Sequence, residues 1–115
     1  MPTSPELLAL ADEVERARRG SRALDIKIAL TALPYPRRVG LWLSLEVGAP
    51  ARCDFTRSID AALTLLPPET PWRADTVQGA HARVGPYEAR AHSVPLALAA
   101  AALRARVAEA AAPAD

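Results

Sequence analysis

The residues of this sequence best suited to metal ligation or nucleophilic chemistry are His81, His92 and the single cysteine Cys53. A metal site needs three or four converging ligands. The spacing of these three fits no zinc pattern and nothing supplies a fourth, so no metal ligand is assigned. Cys53 precedes an expected helix start, where a thiolate is favoured, but no third residue orients a Cys–His pair. An ordinary loop cysteine is the alternative. Asp25 and Asp60 offer paired carboxylates for acid–base work; the plainer reading is acids in the first turns of two helices. The glycines are isolated, which leaves no phosphate-cradling loop. No catalytic residue and no cofactor is assigned.

One cluster remains. His81, Arg83, Glu88 and Arg90, with His92 beyond them, gather on one strand face at period two. If Gly85-Pro86 is a tight turn, Arg83 lies opposite Glu88. Such a face is either a solvated surface with a cross-strand ion pair or a polar groove for an anionic ligand or a protein partner. A helix laid over it would remove both readings.

The elements that must position these residues follow from periodicity. Residues 5–19 read as an amphipathic helix capped by Ser4, with Leu7, Leu10, Ala11, Val14 and Ala17 in one stripe and Gly20 as the stop. Asp12–Arg16 and Glu15–Arg19 are acid-before-base pairs on its surface. Residues 22–33 form a second helix, capped by Ser21 and ended by Pro34 and Pro36. Its narrow polar side predicts deeper burial than the first. Val39, Leu41, Leu43, Leu45 and Val47 alternate with Arg38, Gly40, Trp42, Ser44 and Glu46, the pattern of a strand. Trp42 then points to the opposite face, where it needs cover from a helix or a partner. Residues 57–66 read as a third helix capped by Thr56 or Ser58, with Ile59, Ala62, Leu63 and Leu66 inward. Residues 72–92 read as β structure turning at Gly79 and at Gly85-Pro86. The last helix, 95–111, starts at the cap Ser93 with Pro95 in its first turn and carries the stripe Leu96, Ala100, Leu103 and Val107.

SRALDIKIAL, from Ser21, and TRSIDAALTL, from Thr56, echo one another: a hydroxyl residue, then Arg, then an aliphatic–Asp pair. Both are helix starts on one reading; on the other they duplicate a ligand site using Asp25 and Asp60.

Composition narrows the function classes. The 115 residues suffice for one hydrophobic core and not for two, so a single domain is expected, with an ordered core over about 5–111 and a frayed tail at 112–115. The net charge of +1 lacks the basic excess of most nucleic-acid binders. A lone cysteine gives no internal disulfide. The start of the chain shows helical charge alternation rather than the basic and apolar run of a signal peptide. The stretch Val94 to Leu103 is too short to span a bilayer. A cytoplasmic protein with no membrane partner is expected.

The segment TRSIDAALTLLP, then Trp72 leading β structure, then SVPLALAAAALRARVAEA resembles the phage ABA sandwich domain family. Its members typically show an aromatic–Thr step, a SLDAALTLVP run, a Trp strand and a C-terminal TPALALCAAALRAR helix. Phe55-Thr56 matches the first, Ser58, Asp60, Ala61, Ala62, Leu63 and Leu65 the second, and Pro95, Leu96, Ala97, Leu98, Ala101, Ala102, Leu103 and Arg104 the last. The resemblance covers 55–107 well and 5–33 loosely, and leaves 35–52 outside. Val94 stands where Thr is usual and Ala99 where Cys is common, so neither position takes a special role. The resemblance implies an α/β/α sandwich in a phage context and carries no activity.

Together these readings predict an α+β fold, an α/β/α-type sandwich with three or four helices around a small antiparallel sheet of three to four strands. They predict a non-enzymatic accessory protein that binds a protein partner or small ligand through Trp42, His81, Arg83, Glu88, Arg90 and His92. A homodimer is also expected, with 39–47 as a pairing edge. A nucleic-acid module using the arginines is the alternative, and a small hydrolase is a more distant one.

Overall fold

The computed structural model describes residues 4–32, 55–67 and 69–111. The expected strand at 39–47, with Trp42, and the segment holding Cys53 lie outside the described residues.

The described chain is an α+β fold with four helices and one antiparallel sheet. Helices α1 (Ser4–Arg16) and α2 (Arg22–Ala32) come first, then the short α3 (Ile59–Leu63). Strands β1 (Trp72–Asp75), β2 (Ala80–Val84) and β3 (Tyr87–Ala91) follow, and helix α4 (Val94–Ala111) closes the chain. The sheet order is β1-β2-β3, both pairs antiparallel. Gly79 and Gly85, both at positive φ, make the two turns where they were expected.

Helix α4 is the centre of the molecule. A single stripe on α4 was expected; instead every residue from Leu96 to Leu103 is buried. The reason is position. Its Ala-rich surface lies on β2 and β3, while α1 and α3 cover its other sides. A helix covered all round has no polar face to spare. Alanines let the neighbouring backbones approach closely, and Leu96, Leu98, Leu103, Phe55, Leu65 and Val84 fill what remains. Ser93 caps the helix, its Oγ accepting from the Leu96 N–H at 3.4 Å.

The sheet meets this layer through Ala82, Val84 and Ala89, all buried. Among the described residues no helix covers the opposite face, where Arg83, Glu88 and Arg90 are exposed. No helix among the described residues is long and apolar enough to cross a membrane.

Several expectations need correction. Helix α1 stops at Arg16, short of Arg19, because the chain must descend onto residue 56: a Cβ on Gly20 would lie 2.0 Å from the Thr56 carbonyl oxygen. Gly20 is therefore a close-approach site rather than the helix stop. Asp12 and Glu15 do not pair along their own helix but reach across to Arg104. Helix α2 leaves a smaller share of its residues exposed than α1, as its narrow polar side predicts, but its faces are not those of a purely apolar helix. Leu30 is 45% exposed, and the inward face is shared by Ile28, Ala29 and Ala32 with a carboxylate, Asp25. In α3, Ile59 is exposed and Leu65 rather than Leu66 is fully buried, because the regular helix is a single turn long and the chain passes into turns at Thr64.

Arg106 closes the far end of the core. Its Nε donates to the Leu65 carbonyl at 2.6 Å and its Nη1 to the Ala32 carbonyl at 3.3 Å, satisfying acceptors where α2 and the turn after α3 end.

Candidate functional site

The open sheet face is built by alternation on three short strands. Arg73 and Asp75 stand on β1, His81 and Arg83 on β2, Glu88 and Arg90 on β3. The register aligns them in two rows across the sheet: Asp75, His81, Arg90 and Arg73, Arg83, Glu88.

His81 sits between two acids. Its Nδ1 is 3.6 Å from Asp75 Oδ2 and its Nε2 is 3.8 Å from Glu88 Oε1. These are charge contacts when the ring is protonated, and too long for hydrogen bonds. His81 makes no hydrogen bond to a hydroxyl or thiol among the described residues. The register does place Arg83 opposite Glu88, yet the two form no ion pair among the described residues. Arg83 Nε instead donates to the Gly85 carbonyl at 3.0 Å, holding the turn, and Glu88 leans toward His81. Arg90 reaches back along the sheet, Nη1 donating to the Gln78 carbonyl at 3.4 Å. His92 falls just beyond the end of β3 and is exposed. Among the described residues no group of three or more His, Cys, Asp or Glu side chains is placed to hold a metal.

At the Pro71 end of β1 the face opens into a cavity of about 360 Å³ lined by Pro71, Trp72, Arg73, Arg83, Gly85 and Pro86. Arg73 and Arg83 are direct cross-strand neighbours. Like charges in that position repel, and among the described residues neither guanidinium has a carboxylate partner. Two planar forks of N–H donors beside an apolar Trp and Pro wall suit a carboxylate or phosphate oxygen cluster. Arg73 was not among the sequence candidates, although its alternation with Trp72 and Ala74 puts it in phase with Asp75.

The carboxylates of the internal echo go separate ways. Asp60 is exposed on α3. Asp25 is fully buried and saturated: its Oδ1 accepts from the Thr56 N–H at 2.9 Å and hydroxyl at 2.7 Å, and its Oδ2 from Arg57 Nη2 at 2.9 Å. The Thr56 hydroxyl oxygen in turn accepts from the Ser21 N–H at 2.9 Å. The two echoed segments thus grip one another rather than repeating a ligand site. Both still begin helices, capped by Ser21 and Ser58.

A third polar cluster binds the layers together. Arg104 Nη1 donates to Glu15 Oε2 at 3.0 Å and to the Glu88 carbonyl at 2.9 Å; its Nη2 donates to Glu15 Oε1 at 2.8 Å and Asp12 Oδ1 at 3.0 Å. Glu15 Oε2 also accepts the Arg90 backbone N–H at 2.9 Å. The hydrogen bonds from Arg104 hold the Glu15 carboxyl below its ordinary value, against the opposing effect of burial, with the Arg90 amide adding to them. The same contact raises Arg104.

Comparison with protein-family models, curated proteins and solved structures found no match.

Proposed function

We propose that the protein is a non-enzymatic binding module, an accessory protein of phage or prophage type, that holds an acidic group of a protein partner or small ligand at the Arg73–Arg83 corner of its open sheet face. One observation carries this reading: two adjacent guanidiniums, neither with a carboxylate partner among the described residues, at the mouth of a cavity with an apolar wall. A binding role also suits His81, whose ring faces carboxylates rather than a nucleophile. The phage context rests on the resemblance over 55–107, and location in a bacterial cytoplasm or virion rests on it too.

The test is a titration with a short Glu-rich peptide and, separately, with inorganic phosphate, followed by amide shifts of Arg73, Arg83 and Gly85. Saturable shifts at these residues are expected, with Arg83→Gln weakening binding roughly tenfold or more, as loss of a charge-assisted pair should. Absence of binding by both probes, or equal binding by Arg83→Gln, would refute the reading. Preferential binding of a short oligonucleotide that falls steeply with salt would replace it with the nucleic-acid alternative.

A further inference from the structure

Among the described residues the outer edge of β1 is unpaired and its pattern is self-complementary, and we propose that it pairs with β1 of a second copy to make one sheet running through a two-fold dimer. The expected pairing edge at 39–47 lies outside the described residues; β1 is an edge within them.

Three observations select this occupant. The first is hydrogen-bond phase. The Gly85 N–H donates to the Pro71 carbonyl at 2.8 Å, so 71 and 85 form a hydrogen-bonded pair. Alternation then makes Arg73/Arg83 and Asp75/His81 the next hydrogen-bonded pairs. The backbone N–H and C=O groups of Trp72 and Ala74 consequently point away from β2, and among the described residues nothing meets them. An edge of this kind is a template for another strand.

The second is charge. Outward backbone groups must meet outward groups, so the two-fold axis of an antiparallel β1–β1 pair has to fall on a residue. Placed on Arg73 or on Asp75, it sets like charges face to face. Placed on Ala74, it sets Arg73 opposite Asp75 of the second copy, and the reverse, on the polar face. That position is a non-hydrogen-bonded pair, where side chains stand closest. Ala74 then exchanges hydrogen bonds with its own counterpart, and Trp72 with Thr76 of the second copy. Arg73 faces Arg83 on its inner side; the second copy supplies the carboxylate its outer side lacks among the described residues.

The third is exposure. Trp72 is 45% exposed on the edge, and half-open tryptophans are enriched at interfaces. Pairing lays Thr76 of the second copy against it.

This inference stands apart from the anion-binding reading: Arg83 takes no part in the pairing, which is centred on Ala74 rather than on the Pro71 end where the cavity lies. Arg73, with five N–H donors, serves both.

Sedimentation velocity over roughly a hundredfold range of concentration gives the test. The wild-type chain is expected to dimerise reversibly. Arg73→Asp and Asp75→Arg should each raise the dissociation constant roughly tenfold or more, since each sets like charges opposite one another twice. The double exchange Arg73→Asp/Asp75→Arg should restore the dimer. Ala74→Pro, which deletes an outward N–H that the β2 ladder does not use, should yield a folded monomer. Circular dichroism checks each fold, and Ala74→Pro carries the test if a charge variant does not fold. A wild-type monomer at every concentration overturns the proposal and leaves the edge to a strand from another protein. A dimer indifferent to these substitutions, or a folded double exchange that stays monomeric, overturns it equally.

Discussion

The two edges of the sheet differ in what occupies their outward backbone groups. On β3 the Glu88 carbonyl is taken by Arg104 and the Arg90 amide by Glu15, two side chains already paired with each other. On β1 the corresponding groups of Trp72 and Ala74 meet nothing among the described residues. One salt-bridged pair therefore does two jobs at the closed edge. It ties α1 and α4 to the sheet, and it removes the pairing surface that a bare strand offers. The contrast shows that edge protection here comes from helix side chains and not from the strands themselves, which are four and five residues long.

The strongest way to break the contrast is to open the closed edge. Arg104→Ala leaves Glu15 part-buried without its cation and frees the Glu88 carbonyl. A loss of about 3 kcal/mol is expected from denaturant unfolding, together with new, less specific association through β3. Unfolding at an unchanged midpoint would show that the Arg104–Glu15 pair does not hold the layers.

Acid should weaken the same edge more gently. Because the folded-state value of Glu15 is depressed, its contribution is complete above the ordinary carboxylate value of 4.5 and is lost as pH falls through the lower folded value. Thermal melts between about pH 7 and pH 3 should show a steeper decline for the wild type than for Glu15→Gln. Parallel declines would assign the acid sensitivity to other groups. The smallest effect separates the two acids around Arg104. The Asp12 side chain is 60% exposed, so Asp12→Asn should change stability by no more than about 0.5 kcal/mol; a larger loss would make the triad, rather than the Arg104–Glu15 pair, the unit that closes β3.

What could be read in advance followed from local rules. Serine caps, prolines in first turns and glycines at turns marked α2, α3, α4 and both hairpin turns, since these devices act over a few residues. Alternation alone puts Ala82, Val84 and Ala89 on one side and His81, Arg83, Glu88 and Arg90 on the other. The misreadings were of partners. Asp12 and Glu15 fit helical ion pairs along α1, but Arg104, distant in the chain, supplies a bidentate fork in a partly shielded place where the pair is worth more. Asp25 fit a surface helix start and is the buried hub of the Thr56 and Arg57 contacts. Arg73 was passed over because its neighbour Arg83 lies on another strand.

By itself the sequence determined where helices begin, where strands turn and which side of each strand is apolar, because caps, φ preferences and periodicity are properties of contiguous residues. Tertiary structure decided that α4 is buried all round, that Gly20 must be bare to meet Thr56, that one sheet edge is closed and the other, among the described residues, left open, and that two arginines stand side by side. Each of these depends on surfaces brought together across many residues, where solvent is excluded and a charge takes whichever partner the packing puts within reach.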